Sequence, residues 1–283
     1  MKGDSFMNTL KIASINTKDN SINRTGGIRE DGTSNAEILA DIIKKENLDL
    51  IGTQELTIEY VNALQRELNF KQNIYGQNEL YTGKYQFTGS YRYGDLFLKM
   101  PYNENNNIII KHQNEQDKEI LEERTVWLPW IPDNFNDLKT SITKLSIMPR
   151  IATIVVLKDE IFGSLCMINT HLDYQLPSLQ IRQLKALKQL ILKYQQKYPV
   201  IVTGDFNMQP SDNHFQSFIT DLKENNIKRV EINESTWYGK DVESKEVDHI
   251  FIPTDFLIED AGIIDSKETS DHKFIHAHVR RKY

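Results

Sequence analysis

Apolar and polar positions along the chain alternate between two patterns: short continuous apolar runs, and longer stretches with helical period. Leu10–Asn16 (LKIASIN) and Leu48–Gln54 (LDLIGTQ) are apolar runs of strand length, the signature of strands buried on both faces. Between them, Ser34 and Glu37 have the spacing of a capping box, which predicts an amphipathic helix through Asn47. A second helix is predicted near Thr57–Leu68, so the chain opens strand, helix, strand, helix. From about Lys71 to Ile147 the sequence is polar and rich in Asn, Gln and aromatics. It offers only short strand candidates, Gly94–Met100 and Asn107–His112, among long loops.

Regularity returns at Ile151–Leu157 and Gly163–Thr170, two runs separated by the turn-like Lys158–Glu160 and read as a hairpin. Pro177 starts the longest helix, through about Lys197, with Leu176, Leu184, Leu187, Ile191 and Tyr194 at helical spacing. Pro199–Asp205 is a buried strand, Ser211–Asn225 a helix, and Val247–Ile252 and Phe274–Val279 are closing strands. No internal repeat and no linker interrupts this order. The expectation is one α/β domain over 1–283, with 1–7 as a loose N-terminal extension ahead of the first strand.

Composition adds constraints. The chain has 283 residues with 34 Lys+Arg against 40 Asp+Glu, a net charge of −6. That balance argues against a polybasic binder that holds nucleic acid by neutralising phosphates. One cysteine excludes an intramolecular disulfide and any Cys-rich metal site. No apolar run has signal-peptide or membrane-span length, so the expectation is a cytoplasmic monomer with no membrane span.

The chemistry-bearing residues fall at predicted strand ends. Asn16 ends the first strand and Glu55 follows the second. His171 and Asp173 follow the hairpin, Asp205 and Asn207 the next strand; Asp248 enters a strand and Asp271-His272 precede the last. Strand ends abut one rim of a sheet, where residues distant in sequence converge. Carboxylates and amides without cysteine suit a hard cation, Mg²⁺ or Mn²⁺, which Glu55 could hold and which would supply the positive charge an acidic protein lacks beside a phosphate. His272 offers a general base; its neighbour Asp271 points the other way along a strand, so Asp248 is the better orienting partner. Asp205 and Asn207, two apart, would face one side and work on one substrate, activating water and binding the phosphate.

Six elements in order, Ile15-Asn16, Gln54-Glu55, Asn169-Thr-His-Leu-Asp173, Gly204-Asp-Phe-Asn207, Val247-Asp-His-Ile250 and Ser270-Asp-His272, resemble the endonuclease/exonuclease/phosphatase family over nearly the whole chain. The resemblance implies a four-layer sandwich of two packed mixed β-sheets flanked by helices, with a Mg²⁺- or Mn²⁺-dependent phosphoesterase site at one end. It implies Glu55 as principal metal ligand with Asn16 beside it, Asp271 at or near the metal, and Asp205 and Asn207 positioning water and a phosphate oxygen. It further implies His171 on the scissile phosphate and Asp248 orienting a catalytic His272. Pro149-Arg150-Ile-Ala152 resembles a further family motif, making Arg150 a phosphate contact or, equally, half of a structural ion pair. Asp173 is either a substrate-binding residue or a loop residue.

The function expected from these residues is hydrolysis of a P–O bond by in-line attack of an activated water. A nuclease acting on DNA or RNA ranks first, a hydrolase of a small phosphoester such as a sugar or inositol phosphate or a lipid headgroup second, and a silent binding scaffold last. Tyr91, Tyr93, Trp127 and Trp130 are candidates for stacking on a substrate, with packing the commoner fate of such residues. His249, His276 and His278 are read as packing residues, and Arg280–Lys282 as a solvated tail.

Overall fold

A computed structural model describes residues 9–18, 32–72, 79–81, 84–89, 106–114, 117–129, 150–239 and 242–282. Strand β1 (Leu10–Asn16) runs parallel to β2 (Leu50–Gln54), because helix α1 (Asn35–Glu46) returns the chain between them. Ser34 caps α1 as its spacing predicts, its Oγ accepting the Glu37 N–H at 3.1 Å, and Asn47 ends the helix in the left-handed conformation. After α2 (Ile58–Asn69) the chain forms a small ribbon, β3 (Phe70–Gln72) with β4 (Glu79–Tyr81), then β5 (Tyr85–Thr88), β6 (Ile108–Lys111) and β7 (Lys118–Leu128). The predicted hairpin is β8 (Arg150–Asp159) with β9 (Gly163–His171). Then follow α3 (Pro177–Gln195), β10 (Val200–Asp205), α4 (Asn213–Glu224), β11 (Ile227–Arg229), β12 (Asp248–Pro253), β13 (Phe256–Ile264) and β14 (Phe274–Arg281).

The strands form two mixed six-stranded sheets, ordered β13-β14-β1-β2-β6-β5 and β11-β12-β10-β9-β8-β7. Alternation along each strand sorts its side chains into layers. Leu10, Ile12 and Leu50 of the first sheet meet Val155, Met167, Ile201 and Ile250 of the second. Ala13, Ile15 and Ile51, one residue out of phase, pack under α1 and α2. Ile154, Ile168 and Val202 pack under α3 and α4. The result is the four-layer sandwich that the resemblance implies. Strands such as β1 and β10 are mainly apolar and buried almost from end to end because both of their faces are covered.

Near the C-terminal ends of β2 and β10 the two sheets approach very closely. A Cβ on Gly52 would stand 2.0 Å from Thr203 Oγ1 and 2.5 Å from Asn169 Oδ1 of the other sheet; within the second sheet, one on Gly204 would stand 2.3 Å from the carbonyl oxygen of its β9 neighbour Thr170. Only glycine fits at either position.

Two long strands differ from expectation. β7 carries Glu119, Glu122, Glu123 and Arg124 on an exposed edge, and a bulge between Ile120 and Glu122 breaks its alternation. β13 is the other sheet's edge, with Ile258, Glu259 and Asp260 exposed and most of the rest half-buried. Edge strands lack the apolar run that marks central ones. Arg280 and Arg281, expected in a solvated tail, belong to β14, and Arg280 Nε pairs with Glu259 at 2.9 Å. The candidate strand Gly94–Met100 and the extension 1–7 lie outside the described residues.

Candidate active site

Parallel pairing sends the C-terminal ends of β1 and β2 to one rim, and those of β9 and β10 to the rim facing it. In the second sheet the register sets Asp205 opposite His171 on one side and opposite Asp248 on the other, so three polar residues stand abreast on β9, β10 and β12. His272 arrives from the first sheet, on the turn before β14, where a bridge to Trp237 holds it. Glu55 and Asn207 leave their strands in the left-handed conformation, with φ of 61° and 54°. This backbone is uncommon for any side chain and costs Glu more than Asn.

Asp205 is the centre. Its Oδ2 accepts from Asn16 Nδ2 at 2.9 Å and lies 3.6 Å from His171 Nε2 and 3.8 Å from His272 Nε2. Its Oδ1 accepts the Asn207 N–H at 2.8 Å. Glu55 Oε1 accepts from Asn16 Nδ2 at 3.0 Å and lies 3.9 Å from His171 Nε2. His272 Nδ1 is 2.8 Å from Asp248 Oδ2, which leaves Nε2 facing Asp205.

Electrostatics follow from burial and neighbours. Burial, reinforced by the Asp248 charge, raises the Asp205 carboxyl above the usual range. Burial works against a charged His272, but the Asp248 carboxylate, by its charge and its hydrogen bond, overrides it and holds the imidazolium above its ordinary range. His171 goes the other way: burial, then the Arg150 guanidinium, keeps it neutral.

The remaining sequence candidates divide. Asn16 turns Nδ2 to the two carboxylates and Oδ1 to the Lys18 N–H at 2.9 Å, so it bridges the acids instead of offering them an oxygen. Asn207 is not aligned with Asp205 by strand alternation, because β10 ends at Asp205 and Phe206 turns into an aromatic cluster with Phe215, Phe218 and Phe251. Its Nδ2 donates to the Leu172 carbonyl at 3.0 Å, which fixes the turn. Arg150 is buried near His171. Asp271 pairs with Lys18 Nζ at 2.8 Å and is not among the donor groups that converge within 4.8 Å.

Of the two readings of Asp173, the structure shows the loop contacts. Asp173 is buried, and its Oδ1 accepts the N–H groups of Gln175 and Leu176 at 2.8 and 2.9 Å, closing the turn that leads into α3. Trp127 is exposed on β7, whereas Tyr91, Tyr93 and Trp130 lie outside the described residues. His249 faces away from Asp248, as strand alternation requires, into the rings of Phe206, Phe215 and Phe251, with Nε2 2.9 Å from the Met208 carbonyl oxygen.

Some supporting residues carry no role in the sequence reading. Asn169 ties the sheets together beneath the site: Oδ1 accepts from Gln54 Nε2 at 2.7 Å and Thr203 Oγ1 at 3.1 Å, while Nδ2 donates to the Thr53 and Asn107 carbonyls. Ser270 Oγ donates to the Asn16 carbonyl and accepts the His272 N–H, fastening the His272 turn to β1. Thr236 Oγ1 accepts the N–H groups of Val247 and Asp248. Polar residues at inward positions of otherwise apolar strands were the available signal for Gln54 and Asn169.

The donor set suits a divalent cation. Glu55, His171 and Asp205 each offer an atom within 4.8 Å of the others, and Asp205, Asp248 and His272 form a second such group. Converging buried carboxylates repel one another, and a hard cation relieves that repulsion.

A four-layer α/β sandwich with carboxylates and imidazoles gathered at one rim defines a phosphoric ester hydrolase. The endonuclease/exonuclease/phosphatase family model matches residues 26–272, and the chain belongs to that family. No curated protein matches the sequence significantly. Among solved structures, a family member from Bacteroides thetaiotaomicron superposes with a TM-score of 0.70 at 18% identity, covering 97% of this chain and 98% of that one. The mannosyl-6-phosphatase of the same organism gives 0.69 at 18%, covering 95% and 99%. D. rerio TDP2 complexed with single-strand DNA product gives 0.66 at 16%, covering 96% and 99%. Among the described residues, no helix is long and apolar enough to cross a membrane.

Proposed function

We propose that this hydrolase is a divalent-cation-dependent enzyme that cleaves the P–O bond of a small phosphoester, such as a sugar phosphate, by in-line attack of water. The observation that carries the reading is Asp205 Oδ2 held between Asn16, His171 and His272, at 2.9, 3.6 and 3.8 Å. A carboxylate so placed takes the proton of the attacking water. His272, fixed by Asp248 with Nε2 inward, donates to the developing negative charge on the phosphoryl group, and neutral His171 hydrogen-bonds a second phosphoryl oxygen. Asn16 and Asn207 keep the Asp205 carboxylate turned toward the water. Glu55 would hold the Mg²⁺ or Mn²⁺ ion, whose chemistry there is neutralisation of the phosphoryl and leaving-group charge.

The substrate ranking reverses the one expected from the sequence. A net charge of −6 disfavours a long polyanion footprint, and the mannosyl-6-phosphatase is among the similar structures. A nuclease is the second reading, favoured by the likeness to TDP2 with its bound DNA product. A panel of hexose phosphates, inositol phosphates, RNA and single- and double-stranded DNA, with Mg²⁺ and with Mn²⁺, separates the two. The expected outcome is turnover on the small esters that EDTA abolishes and added metal restores. Oligonucleotide cleavage exceeding small-ester turnover would reverse the ranking, and no metal-dependent turnover on any ester would overturn the proposal.

A further inference from the structure

A second cluster of metal-ligating side chains lies away from the active site. In β14, His276 and His278 alternate and therefore share one face, and Asp260 of β13 is in register with His278. Ala13 and Lys11 of β1 are in register with the same two histidines. This is the outer face of the first sheet, near the start of β1. The active site sits at the other end of that strand, roughly 17 Å along it at a rise of about 3.3 Å per residue from Lys11 to Asn16.

We propose that Asp260, His276 and His278 bind a transition-metal cation of the Zn²⁺ class, separate from the hydrolytic centre. Asp260 Oδ2 lies 3.5 Å from His278 Nδ1 and 3.9 Å from His276 Nδ1, and the donor atoms of all three residues fall within 4.8 Å of one another. Donors of a tetrahedral zinc, each about 2.1 Å from the ion, sit about 3.4 Å apart, so small rotamer adjustments close the site. His276 Nδ1 is buried and makes no hydrogen bond that would compete with a ligand. The two rings stand 4.9 Å apart between centroids.

Two imidazoles and one carboxylate form a borderline donor set, which selects Zn²⁺, Co²⁺, Ni²⁺ or Cu²⁺ over the all-oxygen preference of Mg²⁺. Burial lowers both imidazoles from their ordinary value, so they are neutral ligands at pH 7. Asp260 and His278 also line a cavity of about 680 Å³, with room for water in an open coordination position. The nearest other charges are engaged: Lys11 Nζ donates to the Glu46 carbonyl at 3.2 Å, and Glu259 binds Thr9 and Arg280. A metal at this position clamps the edge strand β13 to β14 just where a bulge between Ile258 and Asp260 interrupts their pairing.

Zn²⁺ titration of the ¹⁵N-histidine-labelled protein, read by NMR of the ring nitrogens, tests the site without using turnover. The expected result is saturable shifts of His276 and His278 at micromolar Zn²⁺, with Mg²⁺ producing none. Asp260 is exposed, so Asp260→Asn retains the fold; it should weaken Zn²⁺ binding at these rings roughly tenfold or more and leave Mg²⁺-dependent hydrolysis unchanged. His276→Gln with His278→Gln should remove the thermal stabilisation that Zn²⁺ confers through this site. Shifts confined to other histidines, or unaltered affinity in Asp260→Asn, would overturn the proposal.

Discussion

Replacing Asp248 by Asn isolates the charge that sets His272. The pair is buried, with Nδ1 and Oδ2 2.8 Å apart, and Asn can still accept that hydrogen bond through its own oxygen. What is lost is the attraction between carboxylate and imidazolium. At a charge separation near 4 Å and an effective dielectric of about 20 this is worth about 4 kcal/mol. Burial then acts on His272 with less opposition and drives it toward the neutral form. If the imidazolium is what meets the phosphoryl charge, the barrier rises by about 3–4 kcal/mol, so kcat falls by roughly two to three orders of magnitude. Steady-state turnover at saturating Mg²⁺ on the best ester of the panel gives kcat, thermal unfolding verifies the fold, and NMR of the His272 ring reports its protonation. A kcat close to wild type in a folded variant whose His272 has lost its charge would refute the reasoning.

Three further outcomes are expected. Asp173→Ala removes the acceptor of two backbone N–H groups at the start of α3, so it should cost about 1 kcal/mol of stability with kcat little changed; a large rise in KM with unaltered stability would restore a substrate-binding role. Gly52→Ala drives a methyl into Thr203 and Asn169, so denaturant unfolding should show a loss of roughly 1–3 kcal/mol or more, together with reduced turnover as the Gln54–Asn169 contact shifts; wild-type stability would mean that the sheets can separate at no cost. His249 is pushed down to about 3 by burial, against an unfolded value near 6.5, so the unfolded chain binds the extra proton between those limits. Its stabilising contribution is complete above about pH 6.5 and is lost as pH falls toward 3, by at most about 1.4 kcal/mol per unit. Stability curves of wild type and His249→Phe should therefore diverge below pH 6.5, and parallel curves would refute the burial argument.

The central strands and all four described helices were legible in the sequence, for a local reason. β1, β2, β9 and β10 are covered on both faces, so each reads as a continuous apolar run, and the Ser34 cap writes the start of α1 into four residues. The placement of Glu55, His171, Asp205, Asp248 and His272 at strand ends was equally legible, because parallel neighbours end, and antiparallel neighbours begin, at one rim. Edge strands β7 and β13 were not, since half-solvated strands carry charges that resemble loops. Tertiary structure alone decided which atoms face which. Strand alternation could not foretell that Asn207 turns left-handed, that Asp173 closes a helix turn, or that Lys18 claims Asp271. Nor could it bring Asp260 of an unrecognised edge strand beside two histidines read as packing. The sequence specifies which residues are polar amid apolar runs; the register between strands, and the packing of two sheets so closely that only glycine fits at Gly52, determine their partners.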